Sequence, residues 1–235
     1  EIGSNATNQY QGNSRSNNPS AAGTYTITLG GTAGSSGWFL VAITGGVPVE
    51  ATIAESLALS VSSIGAGSCT ADDGASVTAI GTSATSVPFG TISANTFYIG
   101  CQDLVVSTNA GGGYSLATQE NLPLSTAGGQ SVPDTTCNSG TCSQTVSGAW
   151  TTNTVNGFGH TCADVSGNDC NSVYGDGSYF RQFADMSSGE TPQPIMVSST
   201  PSLATGRVKY RLNVSSGQGA GIYSNTISYI ITATY

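Results

Sequence analysis

Three stretches of this chain alternate apolar and polar side chains with a period of two, and that pattern alone excludes most folds. TYTITLG (24–30) sets Tyr25, Ile27 and Leu29 against threonines. GRVKYRLNVSS (206–216) puts Val208, Tyr210, Leu212 and Val214 on one face and Arg207, Lys209, Arg211 and Asn213 on the other. IYSNTISYIITATY (222–235) aligns Ile227, Tyr229, Ile231, Ala233 and Tyr235. Successive side chains of a strand point to opposite faces, so each stretch reads as a strand with one covered face. GWFLVAIT (37–44) is apolar throughout and reads as a strand covered on both faces. VEATIAESLALSVSSI (49–64), VPFGTI (87–92), NTFYIGCQDLVVSTN (95–109) and GGYSLATQ (112–119) add further strands.

Helical bundles and doubly wound folds need long runs of Glu, Lys, Arg, Leu and Ala. Here only 8% of residues are charged, while Gly alone occupies 32 positions, so neither class is open to this chain. The predicted fold is all-β, a jelly-roll-like β-sandwich with a disulfide-pinned loop region. Residues 1–23, rich in Asn and Ser, read as a polar tail. Residues 24–235 read as one sandwich domain with an irregular loop insertion over about 120–195.

A formal net charge of −8 argues against nucleic acid as a partner, because phosphate binding needs a basic surface. No apolar run is long enough to cross a bilayer. The opening Glu1-Ile2-Gly3 reads as a mature form whose leader has been removed. The 6 cysteines form an even set suited to structural disulfides in an oxidising compartment. Short loops favour Cys137–Cys142 and Cys162–Cys170, which leaves Cys69 to pair with Cys101.

Catalytic constellations are weak. His160, the only histidine, sits in GFGHTC, and no GxSxG elbow accompanies it. Glycosidase chemistry needs two carboxylates flanking a cleft. Glu50 and Glu55 differ in parity along one strand, and Asp72-Asp73 occupies a Gly-flanked turn. No catalytic residue and no cofactor is therefore assigned. The loop DVSGNDCNSVYGDGS offers Asp164, Asn168, Asp169 and Asp176 as a weak calcium set. Sequons mark Asn5 and Asn213 as candidate glycan acceptors. Arg207, Lys209 and Arg211 form a basic stripe, read either as a solvated face or as a docking stripe for an acidic surface on a neighbouring copy.

Three segments form a familiar set: PVEATIAESLALSVSS, then VPFGTISANTFYIGCQDLVVSTNAGGGYSLATQENLPL, then GRVKYRLNVSSGQGAGIYSNTISYIITATY. Together they resemble secreted β-sandwich surface proteins of reduced-genome bacteria, in which an FGTL…LTVSTNA-GYT block precedes a closing Tyr-rich hairpin. The resemblance implies a β-sandwich exported to the cell surface. A looser, architectural likeness is to subunits of extracellular filaments, TasA/camelysin-like fibres and archaeal bundling pili, which join by donor-strand exchange.

These readings converge on a non-enzymatic structural subunit of an extracellular, pilus-like filament or cell-surface layer. Its partners are copies of itself in a homopolymer, with glycans as further candidates. The expected donor residues are Tyr25, Ile27, Leu29, Trp38, Phe39, Leu40, Val41 and Ile43, which could fill a neighbour's core. The C-terminal strand 222–235 is the next candidate. The competing reading is a monomeric secreted adhesion or glycan-binding module that uses Trp150, Tyr174 and Tyr179. A secreted hydrolase is the third reading, disfavoured by the missing constellations.

Overall fold

Alternating stretches become strands wherever another strand supplies the hydrogen bonds. The computed structural model describes residues 21–30 and 36–235. The strands are β1 (Gly23–Gly30), β2 (Ser36–Ile43), β3 (Leu57–Ser63), β4 (Val77–Ile80), β5 (Phe97–Thr108), β6 (Tyr114–Glu120), β7 (Gly157–Ser166), β8 (Gln193–Ser198), β9 (Ser202–Asn213) and β10 (Ile227–Ala233). The only helical pieces among the described residues are short 3₁₀ turns, so the all-β expectation holds. No helix there is long and apolar enough to cross a membrane.

The chain divides into two compact units, Glu1–Ile53 and Ala54–Tyr235. In the first, β1 and β2 pair antiparallel, with Tyr25 opposite Val41 and Ile27 opposite Phe39. GWFLVAIT was expected to be covered on both faces, yet Trp38, Phe39 and Leu40 are exposed. The expected sandwich domain starts at residue 24, and the second compact unit starts at Ala54.

In the second unit, a five-stranded sheet runs β3-β5-β9-β7, with β4 alongside β5, and a three-stranded sheet runs β10-β6-β8. Inward residues of both sheets, among them Leu104, Val106, Leu116, Ile195, Val208 and Tyr210, share one apolar core, as the layers of a sandwich do. Gly206 sits where β9 passes a knot of sulfur. A Cβ there would lie 2.7 Å from the Met196 Sδ and 2.9 Å from the Cys170 Sγ, so only glycine fits without displacement.

The outer face of the five-stranded sheet is covered as well. Smaller clusters form there around Phe97, Trp150 and Phe180, and around Ile99 and the Cys69–Cys101 bridge. All six cysteines pair as expected, Cys69–Cys101, Cys137–Cys142 and Cys162–Cys170, which fits an oxidising, extracellular environment.

Three local expectations need correction. The stretch 120–195 holds β7 and the start of β8, which the sequence hides behind glycines and a proline. VPFGTI is a loop, because Gly90 takes φ +67°, but it still lays Val87, Phe89 and Ile92 on the core. The stretch 49–64 forms a strand only from Leu57, where β5 becomes available as a partner.

Candidate functional site

The expected basic stripe is the first feature to be corrected. Arg207, Lys209 and Arg211 do share the outer face of β9, but each is paired within the chain. Arg207 grips Asp103 at 2.7 and 3.0 Å across the β5–β9 ladder. Lys209 pairs with Asp72 and donates to the Thr70 carbonyl. Arg211 meets Asp73 bidentately at 2.7 and 3.0 Å and donates to the Trp150 carbonyl. Its guanidinium carbon stands 3.9 Å from the Phe180 ring centroid and 4.9 Å from that of Phe97. With Lys209 3% and Arg211 0% exposed, no free basic face remains for a neighbour to dock on.

His160 is fully buried, stacked on Phe183 at 4.0 Å and hydrogen-bonded through Nε2 to the Tyr174 hydroxyl at 2.8 Å. Burial and the nearby Arg181 charge hold its pKa well below the ordinary value, so the ring is neutral. Arg181 Nε donates to the same hydroxyl at 2.9 Å, so the ring and the guanidinium together hold Tyr174 in place. Glu50 and Glu55 are exposed and lie outside any strand.

The acidic loop spends its carboxylates on structure. Asp164 accepts from the Cys170 amide, Asp176 from the Asp164 amide, and Asp169 from the Tyr114 and Ser202 hydroxyls. No group of three acidic, His or Cys side chains among the described residues is arranged to hold a metal. Asn213 is fully buried and donates to the Asn153 and Val155 carbonyls, which withdraws it as a glycan acceptor on the folded chain. Asn5 lies outside the described residues. Trp150 and Tyr174 are buried, leaving Tyr179 as the one exposed aromatic of the expected glycan-binding trio.

A carboxyl pair escaped the sequence reading altogether. Glu120, at the end of β6, is fully buried and accepts from the Asn225 amide at 2.6 Å. Burial first, and then the charges of Asp134 and Asp185, raise its pKa far above the usual carboxylate range. Asp134 is raised as well, mainly by burial, with Asp185 and Glu190 adding to the effect. The pair therefore keeps a proton that both groups release in the unfolded chain. A group that binds its proton more tightly when folded contributes stability below its unfolded pKa and loses it as pH rises toward the folded value. Wild-type stability should fall from about pH 5 towards pH 8, whereas Glu120→Gln should flatten that slope and gain about 1–3 kcal/mol at pH 8. Urea titrations at the two pH values test this, and equal slopes for both proteins would refute it.

The feature that remains open is a groove of about 1080 Å³ at one side of the sandwich. It is walled by the 84–94 loop, the end of β9, the 215–226 turn and β10, with Phe89, Phe158, Tyr210, Tyr223 and Tyr229 among its lining. No lining residue carries a charge. The inward residues of the adjoining edge strands, Leu57, Leu59 and Val61 on β3 and Ile227, Tyr229 and Ile231 on β10, are only partly covered. Those along the middle of β5, β6 and β9, such as Leu104, Leu116 and Val208, are buried. Among the described residues β10 pairs with β6 alone, so its outer edge carries unmatched backbone donors and acceptors.

No family model, curated protein or solved structure matches this chain. The site's meaning therefore rests on its own geometry. Of the expected donor residues, Tyr25, Ile27, Trp38, Phe39, Leu40, Val41 and Ile43 lie in the β1–β2 hairpin with their backbones paired to one another. Leu29 shares that ladder, but its side chain lies outside the described set.

Proposed function

We propose that this chain is a structural subunit of an extracellular filament or cell-surface layer, and that its copies join by strand donation from the N-terminal region into a neighbour's sandwich. The observation that carries the reading is the half-covered core along β3 and β10, beside an uncharged apolar groove. An added strand would match the free edge of β10 with backbone hydrogen bonds and cover these side chains, the mode known as β-augmentation. Burying a Val, Leu, Ile or Phe side chain is worth about 1.5–3 kcal/mol, so a few anchors suffice for a tight joint. Three disulfides, the resemblance to secreted surface proteins and the looser architectural likeness to filament subunits agree with an exported, durable polymer.

Light scattering and electron microscopy of the full chain test the reading. Polymers are expected at micromolar concentration. A chain deleted of residues 1–53 should stay β-rich and monomeric, because the second unit has its own core. A full chain that remains monomeric at every concentration would end this reading.

A further inference from the structure

Residues 47–53, VPVEATI, alternate as a strand does, with Val47, Val49, Ala51 and Ile53 in step, yet they form none. No backbone hydrogen bond joins them to any described residue. Val47, Val49 and Ile53 are also 86%, 90% and 84% exposed, beyond Trp38, Phe39 and Leu40 of the β1–β2 hairpin at 70%, 39% and 57%. An apolar alternation with neither a ladder nor a covered face is a strand lacking its sheet.

We infer that Val47–Ile53 of one copy is the donated strand, adding to the free edge of β10 in the next copy with its odd-numbered side chains in the groove; this rests on the self-assembly reading above. The segment has as many residues as β10, Ile227–Ala233. Its apolar face meets a groove without charge, and Glu50 falls on the opposite, solvent side. Pro48 sits on the other parity from the groove-facing residues. Its missing N–H can therefore face outward, where it would blunt the new edge against further addition.

Residues 54–56 explain why the segment does not fold back onto its own β3. The Asn109 side chain accepts from the Ser56 amide at 2.7 Å and donates to the Ala54 carbonyl at 2.8 Å. The Ser56 carbonyl in turn accepts from the Thr108 hydroxyl at 2.9 Å. These bonds carry the β3–β5 ladder past Leu57 and keep the chain extended where a hairpin turn would have to form. That disfavours a hairpin onto β3, and the free edge of β10 in a second copy is the acceptor inferred above.

The test compares two full-chain variants with the wild type by sedimentation and microscopy. Val49→Asp with Ile53→Asp should stay monomeric at about tenfold the concentration at which wild type polymerises, since each buried aspartate forfeits an anchor. Trp38→Asp with Leu40→Asp should polymerise like wild type. A synthetic peptide of residues 45–56 should bind the V49D/I53D monomers, whose grooves are empty, and the same peptide carrying both aspartates should not. Wild-type-like polymers from V49D/I53D would overturn this inference while leaving the subunit reading intact. Failure of the wild-type peptide to bind would overturn it too. A wild-type chain that never polymerises would overturn both.

Discussion

Arg211→Ala is expected to remove about 3–5 kcal/mol of stability, because it leaves Asp73 charged in a site with almost no water. The Asp73 side chain is 4% exposed and that of Arg211 0%, so neither charge can recover its hydration when the other is lost. The guanidinium also forms the centre of a box made by Phe97, Trp150 and Phe180, with the Cys137–Cys142 bridge in the same cluster. Its loss would empty the contact that holds loops 137–155 and 176–181 onto β9. Arg211→Lys should rescue little, since an ammonium offers neither the bidentate fork nor a planar face for the rings. Removing both partners together, as Arg211→Met with Asp73→Leu, should recover most of the loss, because no unpaired charge then remains. Guanidinium denaturation with the disulfides intact reads the effect. A cost below about 1 kcal/mol for Arg211→Ala would show that water reaches the pair after all.

Replacing Cys69 and Cys101 together by alanine should cost about 3–4 kcal/mol, the largest effect among the three bridges. Its sequence separation is 32, against 5 for Cys137–Cys142 and 8 for Cys162–Cys170, and a longer loop loses more freedom when closed. The same reasoning gives about 2 kcal/mol for removing Cys137–Cys142. The Cys69–Cys101 bridge also pins the segment that carries Asp72 and Asp73 to β5, so its loss should loosen the pairs to Lys209 and Arg211. Double-alanine variants compared by thermal unfolding test the order. Equal losses at all three bridges would show that loop length is not what sets them.

Short-range chemistry was readable along the chain. Alternation at 206–216 and 222–235 announced β9 and β10, because which face a side chain takes in a strand depends only on its position parity. Loop shortness paired the cysteines for a similar reason, since chain connectivity keeps Cys137 near Cys142 and Cys162 near Cys170 whatever the fold. Parity also put Arg207, Lys209 and Arg211 on one face correctly.

Whether that face meets water was another matter. Its cover comes from residues up to 139 positions away, and nothing local in GRVKYRLNV records an aspartate waiting in a distant turn. Glu120 and Asp134 became a proton-holding pair by the same kind of long-range meeting. The alternation of Val47, Val49 and Ile53 was present in the letters from the start. The inference drawn from it needed the tertiary structure, which leaves those residues exposed and an uncharged groove beside the free edge of β10. The sequence by itself determined the strand class, the disulfide set and the side-chain parity, which depend on neighbours along the chain. The tertiary structure alone decided which faces are dry, which charges are paired and which edge is left open, because burial is settled by what packs across space.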